Sequence, residues 1–475
     1  MDSGYLERLS YVVLVHMRRL FLTLLVAVVI NPSMIALAQD DRRDHDWNDE
    51  YWHHHHYGYW HGERGYWQYR DHKHEFIQVA PELGGFRARA ADKGITFNTQ
   101  YIAEIWGNPV GGASNGTDYT GLMSFQGDID LQKLLGWQGA SFSTRWYWLS
   151  GRDLSADYVG NIFAVSNISG YHTVRMNELW LQQKFMGDHV SIRAGQMGAD
   201  SEFYVSTHAI IFLNGAFSWS PTLFTNMPNG GPVYPMGTPG IRLEITPVNW
   251  LSYRGAVFQG NPFAQDVNRH GFKWDLSASN GYCSIHEVTF RLNQEPGSSG
   301  LPGTFKIGGW FDTAPNPNTN STLPWSYGLH FVADQMLYRE VHPHVPSATD
   351  SKGQQTSVAS SANQGLGAFT HIGLSPQNFS FINFYIDGGL TYKGPIPSRD
   401  NDIVGVAVGY GHLTNDPQDN QGRSNPGYEI VLETTYEIEL VSWLSLQPDV
   451  QYIIHPSGTN IPNALVLGAR TTLSF

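Results

Sequence analysis

The sequence predicts an all-β protein: a transmembrane antiparallel β-barrel of about 16 strands, preceded by a short N-terminal helix and a disordered His-rich tail. Three observations carry this prediction. From Ile95 to the last residue, apolar and polar side chains alternate with period two. The alternating segments run to about a dozen residues, longer than the ~5–6 of soluble strands and close to the ~9–11 of membrane-barrel strands. The composition also fits: 475 residues with 15% charged, 13% aromatic and 50 Gly, against about 25% charged in an average soluble domain.

The elements follow in chain order. Arg18 and Arg19 precede an apolar run from Leu20 to Ile30, which Pro32 breaks, and Ala36-Leu37-Ala38 follows. A positive start, a short apolar stretch and an A-x-A site predict a secretory signal peptide over 1–38, cut between Ala38 and Gln39. The run is too short for the ~20 apolar residues of a spanning helix. No later run of 18 or more uncharged apolar residues occurs, which excludes an inner-membrane helical bundle.

Residues 39–80 mix many His with Trp, Tyr, Asp and Arg and show no apolar periodicity. They are expected to form a disordered periplasmic tail. Imidazoles could collect divalent metal there, but the irregular spacing implies no fixed metal site. Residues 81–475 are assigned to the barrel domain. A short helix is expected over 81–93, with Leu83, Phe86 and Ala90 on one face and Gly94 as its stop. The single Cys283 can form no internal disulfide and is expected as a small buried or wall residue. A net charge of −13 offers no basic patch, which argues against nucleic acid as a partner. No cofactor is expected.

From Ile95 onward, Gly/Asn/Asp/Pro/Ser clusters cut the chain into strand-length pieces. Long polar stretches at 315–324, 346–365 and 414–427 read as external loops. The last three strands alternate strictly. Ile430, Leu432, Thr434, Tyr436, Ile438 and Leu440 face one way, while Glu429, Glu433, Glu437 and Glu439 face the other. Leu444, Leu446, Val450, Tyr452 and Ile454 oppose Ser445, Gln447, Asp449 and Gln451. Leu465, Leu467, Ala469, Leu473 and Phe475 oppose Arg470, Thr472 and Ser474. Carboxylates on the polar faces suit a watery lumen. Trp146, Trp148, Trp250, Trp443 and Tyr452 lie where interfacial aromatic girdles are expected. At ~25 residues per strand with its connection, 95–475 holds about 16 strands, a size that leaves an aqueous channel. Phe475 closes an alternating strand, the end that barrel-assembly machinery reads in bacterial outer membranes.

Specific residues carry a family resemblance. LGGFR at 83–87, ADKGI at 91–95, IWGN at 105–108, LLGW at 134–137 and YWLSGR at 147–152 occur in order. They are followed by RMNELWL at 175–181, RAGQ at 193–196 and TNMPNGGPVYPMGTPGIRL at 225–243. ETTY at 433–436, LQPD at 446–449 and NALVLG at 463–468 complete the set. Together they resemble the OprB-type carbohydrate-selective porins of Gram-negative bacteria over 83–475. Gln182 stands where an acid is expected. The resemblance implies a 16-stranded outer-membrane barrel, a homotrimer, and facilitated diffusion of monosaccharides such as glucose. Its partners are then small sugars, outer-membrane lipids and the assembly machinery.

A sugar is neutral, with many hydroxyls around C–H faces, so a selective passage needs donors, acceptors and an aromatic plane. Period-two phase puts Arg145, Glu178, Trp180, Gln182, Lys184, Arg193, Arg242 and Glu244 on the lumen side. Arg175 has the wrong phase for a regular strand and needs a rim position or a bulge to reach the pore. Residues 198–238 are too many for a turn and are expected to fold into the barrel. Asp200, Phe203, Tyr204, Trp219, Asn226 and Asn229 are the contacts expected from them. The rival readings are a non-selective general porin, a non-conducting adhesive or structural barrel, a soluble lectin and an outer-membrane enzyme. For the last, Gly112-Ala113-Ser114-Asn115-Gly116 matches G-x-S-x-G, but the motif needs a strand before it and a helix after it. Here a second alternating strand follows, so no enzyme is expected.

Overall fold

The structure, a computed structural model, describes residues 85–295, 298–315, 325–340, 364–377, 380–414 and 427–475, with the strand pieces 348–349 and 355–356. The signal peptide 1–38 and the tail 39–80 lie outside the described residues. A helix spans Phe86–Asp92, within the 81–93 expected, and buries Ala90; residues 81–84 lie outside the described residues. Gly94 stops it at φ +83°, where an added Cβ would lie 2.8 Å from the Asp130 carbonyl oxygen. Arg87 reaches from this helix to the carbonyl oxygens of Phe97 at 2.5 Å and of Phe475 at 3.2 Å, so the helix holds the chain's last residue.

The strands are β1 (Ile95–Val110), β2 (Gly116–Asp130), β3 (Ala140–Gly151), β4 (Thr173–Phe185), β5 (Val190–Met197) and β6 (Thr238–Val248). They continue as β7 (Leu251–Gln259), β8 (Tyr282–Leu292), β9 (Gly303–Asp312), β10 (Ser326–Arg339), β11 (Ala348–Thr349) and β12 (Gln355–Thr356). The last are β13 (Gly365–Leu374), β14 (Ile382–Lys393), β15 (Ile403–Leu413), β16 (Tyr428–Val441), β17 (Leu444–Ile454) and β18 (Ala464–Ser474). Among the described residues, the two-residue strands β11 and β12 pair only with each other. The remaining 16 close one antiparallel barrel, each paired with its chain neighbours and β1 with β18. Closure leaves no edge, as a strand in hydrocarbon requires.

The alternation in the sequence is the wall of the barrel. Outward residues such as Ile105, Ile241, Ile307, Leu329, Val408, Leu432 and Leu467 are exposed, while Glu104, Arg242, Glu433 and Arg470 on the alternate positions are buried. Trp250 and Tyr452 are exposed on the outside. Trp146 faces out from β3 but packs on Phe272, ring centroids 5.8 Å apart, so the connection 260–281 covers it. At the β1–β18 seam, the Trp106 ring lies against Gly468, where a Cβ would come within 2.0 Å of it. Cys283 faces inward and is fully buried.

Both ends of the barrel wall, the start of β1 and the end of β18, sit where β4–β5, β6–β7 and β16–β17 join through short turns. In outer-membrane barrels that end faces the periplasm. Residues 316–324 and 415–426 lie outside the described residues, and their strands place both connections at the opposite end. The stretch 346–365 differs from expectation. β10 and β13, which it joins, meet at the end with the short turns, so this connection leaves from the periplasmic end. Its polar composition looks the same at either mouth, and only counting the strands assigns the side.

The lumen is not simply wet. The connection 198–237 folds into it, as expected, and so does 152–172, which the sequence reading left unassigned. Leu154, Val159, Phe163 and Val165 of the first insert join Ile211, Phe212, Leu213 and Phe217 of the second. They pack against the inward faces of Trp106, Phe369, Tyr385, Val431 and Ile453. Phe203, Tyr204, Leu223, Met227 and Val233 form a second apolar cluster with Ala256, Phe258, Ile285 and Trp310. Each such side chain contributes about 1.5–3 kcal/mol when fully buried, which anchors inserts that lack strand pairing.

An insert crossing the lumen still carries backbone N–H groups that need acceptors. The wall supplies carboxylates. Glu429 accepts from the Phe163 and Ile162 N–H at 2.7 and 3.0 Å. Glu433 accepts from Leu213 at 2.5 Å and Asn214 at 2.9 Å. Asp334 accepts from Thr207 and His208 at 3.1 and 3.2 Å, and Glu287 from Tyr204 at 2.9 Å. Glu429 and Glu433, expected to face water, are instead buried under the loops they hold.

Candidate functional site

Adjacent strands bring a row of charged side chains together on one side of the lumen. β3 supplies Arg145, β4 Glu178, Trp180 and Gln182, β5 Arg193, β6 Arg242 and Glu244, and β7 Arg254. The second insert places Glu202 among them. Its carboxylate is 2.5 Å from Arg193 Nη1, 2.9 Å from Arg242 Nε and 3.2 Å from Arg254 Nε. Arg254 Nη2 also meets Glu244 at 2.7 Å. Burial by itself would push the Glu202 carboxyl up, but the guanidiniums of Arg193, Arg242 and Arg254 outweigh it and hold it down at about 2.

Gln182 does the work of the acid expected at its position. Its Oε1 accepts from Arg242 Nη2 at 2.8 Å and from Arg193 Nη2 at 3.1 Å. The negative charge comes from Glu202 instead, across the lumen side. On its other face Arg193 lies over the Trp180 ring, 3.6 Å from the centroid. Further along, Arg145 is 3.6 Å from Glu178 Oε2 and donates to Gln126 Oε1 at 2.8 Å. Glu178 Oε1 has no hydrogen-bond partner among the described residues.

Arg145, Glu178, Trp180, Arg193, Arg242 and Glu244 therefore converge, with the inward phase expected for each. Lys184 lies toward the strand end, 3.8 Å from Asp188. Arg175 is inward because β4 carries a bulge. Arg145 pairs with Glu178 but Trp146 pairs with Met176, which leaves Asn177 as the extra residue and reverses the phase before it. Arg175 is then fully buried beside Tyr171, whose hydroxyl accepts from it at 2.8 Å, and stands apart from the arginine row.

Asp200 and Trp219 line a cavity of about 630 Å³ between the two inserts. Burial raises the Asp200 carboxyl to about 6, against the pull of the Tyr234 N–H that it accepts at 3.2 Å. Phe203 and Tyr204 pack in the second apolar cluster. Asn226 is occupied in holding β14: it donates to the Ile382 carbonyl and accepts from the Phe381 N–H, both at 2.7 Å. Asn229 is exposed and donates to Asn261 at 2.9 Å.

The sequence reading missed Glu202 and Arg254. Arg254 had a signal, since Ser252, Arg254 and Ala256 share one phase of an alternating strand. Glu202 had none, because it sits in an insert without periodicity. Ser114 of the G-x-S-x-G match lies in the turn before β2, its N–H bonded to the Tyr158 carbonyl at 2.9 Å, with no helix after it.

A closed 16-stranded barrel narrowed by an inserted loop can be compared with known proteins. Residues 114–475 match the model of the carbohydrate-selective porins, OprB family. The chain belongs to that family. Porin B of Pseudomonas aeruginosa is 25% identical over 426 residues, covering 83% of this chain and 90% of that protein. A structure of OprB from Pseudomonas putida at high pH superposes with a TM-score of 0.69 at 25% identity, covering 86% of this chain and all of that one. The low-pH structure of that protein, at 20% identity and TM-score 0.52, shares the fold. This chain is thus a carbohydrate-selective outer-membrane porin and not an enzyme.

Proposed function

We propose that this porin conducts monosaccharides such as glucose by facilitated diffusion past the arginine row, and does so as a homotrimer. The observation that carries the reading is the Arg193 guanidinium held between the Trp180 ring and the Glu202 carboxylate. A guanidinium fixed on both sides cannot swing out of the wall, so the charge and the indole plane beside it keep their places along the lumen. Glu178 and Glu244 supply acceptors for adjacent hydroxyls. Contacts of this kind are individually weak and exchangeable, which passage requires. Asp200 and Trp219 belong to the same route on its long-loop side. Arg175 and Asn226 act on it through the inserts that they hold. Mature protein beginning at Gln39, and loss of assembly on removal of Phe475, complete the reading.

Planar-bilayer recording tests it. Glucose added to the open porin is expected to block the salt current in a concentration-dependent way, and Arg193→Gln or Glu178→Gln is expected to weaken that block. A current indifferent to every monosaccharide would leave the porin without the proposed substrates. Native mass spectrometry of detergent-solubilised protein is expected to give three chains.

A further inference from the structure

The outside of the barrel carries a group that hydrocarbon does not suit. On β8, Ser284 and His286 face outward, and His286 is exposed. His286 stands opposite Gly255 of β7 and Gly309 of β9, so neither strand covers it with a side chain at its own level. It lies four residues from Tyr282, ~13 Å along the strand, which sets it inside an apolar band ~25 Å tall. Val257, Phe290, Ile307 and Phe311 are exposed around it. An ionisable side chain at that depth is costly unless a partner receives it.

His286 belongs to a built trio. Tyr253 Oη is 2.8 Å from His286 Nδ1, and Ser284 Oγ is 2.8 Å from Nε2. The Tyr253 and His286 rings stack, with centroids 6.1 Å apart. Gly255 makes the room: a Cβ there would be 2.5 Å from the Tyr253 hydroxyl and 2.9 Å from Nδ1. A neutral imidazole has one N–H, so the trio holds three polar hydrogens and makes two hydrogen bonds. Whichever nitrogen carries the proton, one hydroxyl hydrogen, of Tyr253 or of Ser284, has no acceptor among the described residues. Other outward hydroxyls bond the wall itself: Thr144 donates to the Glu178 carbonyl at 3.2 Å and Thr370 to the Asp387 carbonyl at 2.6 Å. Acyl chains offer no acceptor, whereas a neighbouring barrel does.

We propose that the outer face of β7 and β8 is where a second copy of this chain docks, with the left-over hydroxyl donating to it. The proposal rests on the homotrimer reading above and names the face that such an assembly uses. The connection 260–281 extends the same face. It folds over the outer ends of β4 and β5, where Trp274 Nε1 donates to Gln196 Oε1 at 2.5 Å and the His270 carbonyl accepts from the Met176 N–H at 3.1 Å. The Tyr282 hydroxyl ties it to β8 by donating to the Leu276 carbonyl at 2.8 Å. Phe272, Trp274 and Leu276 stay exposed on it, an apolar ridge that a neighbouring wall can cover. In a closed ring of copies each contact joins two different patches, so the acceptor lies on a different part of the neighbour.

The test compares Val257→Trp, on this face, with Val408→Trp, on the outer face of β15; the two valines are 48% and 47% exposed. Val257 pairs with Ser284, so its indole would stand beside the trio. A third variant, Tyr253→Phe with Ser284→Ala and His286→Leu, removes every polar hydrogen of the trio. All are purified in mild detergent; heat-modifiable gel mobility reports a closed barrel, and native mass spectrometry counts the chains. Val257→Trp is expected to give single chains and Val408→Trp to keep three. The triple variant is expected to lower the ratio of three chains to one at least about threefold, one hydrogen bond's worth in a membrane. Assembly that survives Val257→Trp, ignores the triple variant, or is lost equally in Val408→Trp overturns the docking face and leaves the trimer. Single chains in the unsubstituted porin overturn the homotrimer reading and this inference together.

Discussion

Arg193 Cζ lies 3.6 Å from the centroid of the Trp180 ring while its Nη1 is 2.5 Å from Glu202. Trp180 comes from β4 and Arg193 from β5, one strand apart, and Glu202 comes from the insert that follows. Wall and loop thus fix one guanidinium from two sides. Replacing Trp180 by Leu removes the stack, worth about 1–2 kcal/mol at a desolvated site. Sugar block in a bilayer is then expected to weaken about five- to thirtyfold. Arg193→Lys should lose nearly as much, because an ammonium has no planar fork to stack and donate at once.

Glu202 predicts an acid limb. Its carboxyl titrates at about 2, below the ordinary 4.5, because three guanidiniums hold the charged form. A depressed acid adds stability above its ordinary pKa and loses it as pH falls through the folded value. The insert is therefore expected to loosen between about pH 4.5 and 2, read as rising current noise. Glu202→Gln leaves three buried guanidiniums without their shared acid, a change that costs about 3–5 kcal/mol locally, so its noise should be high already at neutral pH.

Asp200 behaves in the opposite sense. Burial raises it to about 6, above the ordinary 3.8, so the fold disfavours its charged form as pH climbs from about 3.8 through 6. A carboxylate accepts from sugar hydroxyls with more capacity than a protonated acid. Sugar block is expected to strengthen as pH rises through about 6, and Asp200→Asn should flatten that dependence. An unchanged pH profile in the variant would separate Asp200 from the path.

The wall acids predict a loop effect without any sugar. Glu433 accepts two N–H groups from the second insert, at Leu213 and Asn214. Glu433→Ala leaves both donors unpartnered, at about 1–3 kcal/mol each. The insert is expected to detach from β16, giving a larger and noisier single-channel conductance while heat-modifiable mobility still reports a closed barrel. Glu429→Ala should do the same to the first insert through Ile162 and Phe163.

Much of the wall was legible in the residues. The phase of Tyr428–Val441 put Glu429 and Glu433 inward, and the phase of β6 did the same for Arg242 and Glu244. Even the defect was readable: Arg175 broke the alternation, and β4 bulges at Asn177 to accommodate it. The inserts were less legible. The second was recognisable by its length, but Leu154, Val159, Phe163 and Val165 of the first follow no period, and nothing adjacent in the chain shows what they pack on. Glu202 stayed hidden for the same reason, and Glu429 and Glu433 had the right face but the wrong surroundings.

Alternation is a property of each strand taken alone, since successive side chains point to opposite faces and the bilayer demands that one face be apolar. The sequence by itself therefore determined the barrel, its sidedness of side chains and most of the charged wall. The filled lumen depends on contacts between residues distant in the chain: Leu213 meets Glu433 across 220 positions, and Phe163 meets Glu429 across 266. Only the tertiary structure decided which acids hold loops, which guanidiniums share Glu202, and where an open cavity remains, because those outcomes follow from how the inserts satisfy their backbone and bury their apolar side chains inside a wall that is already closed.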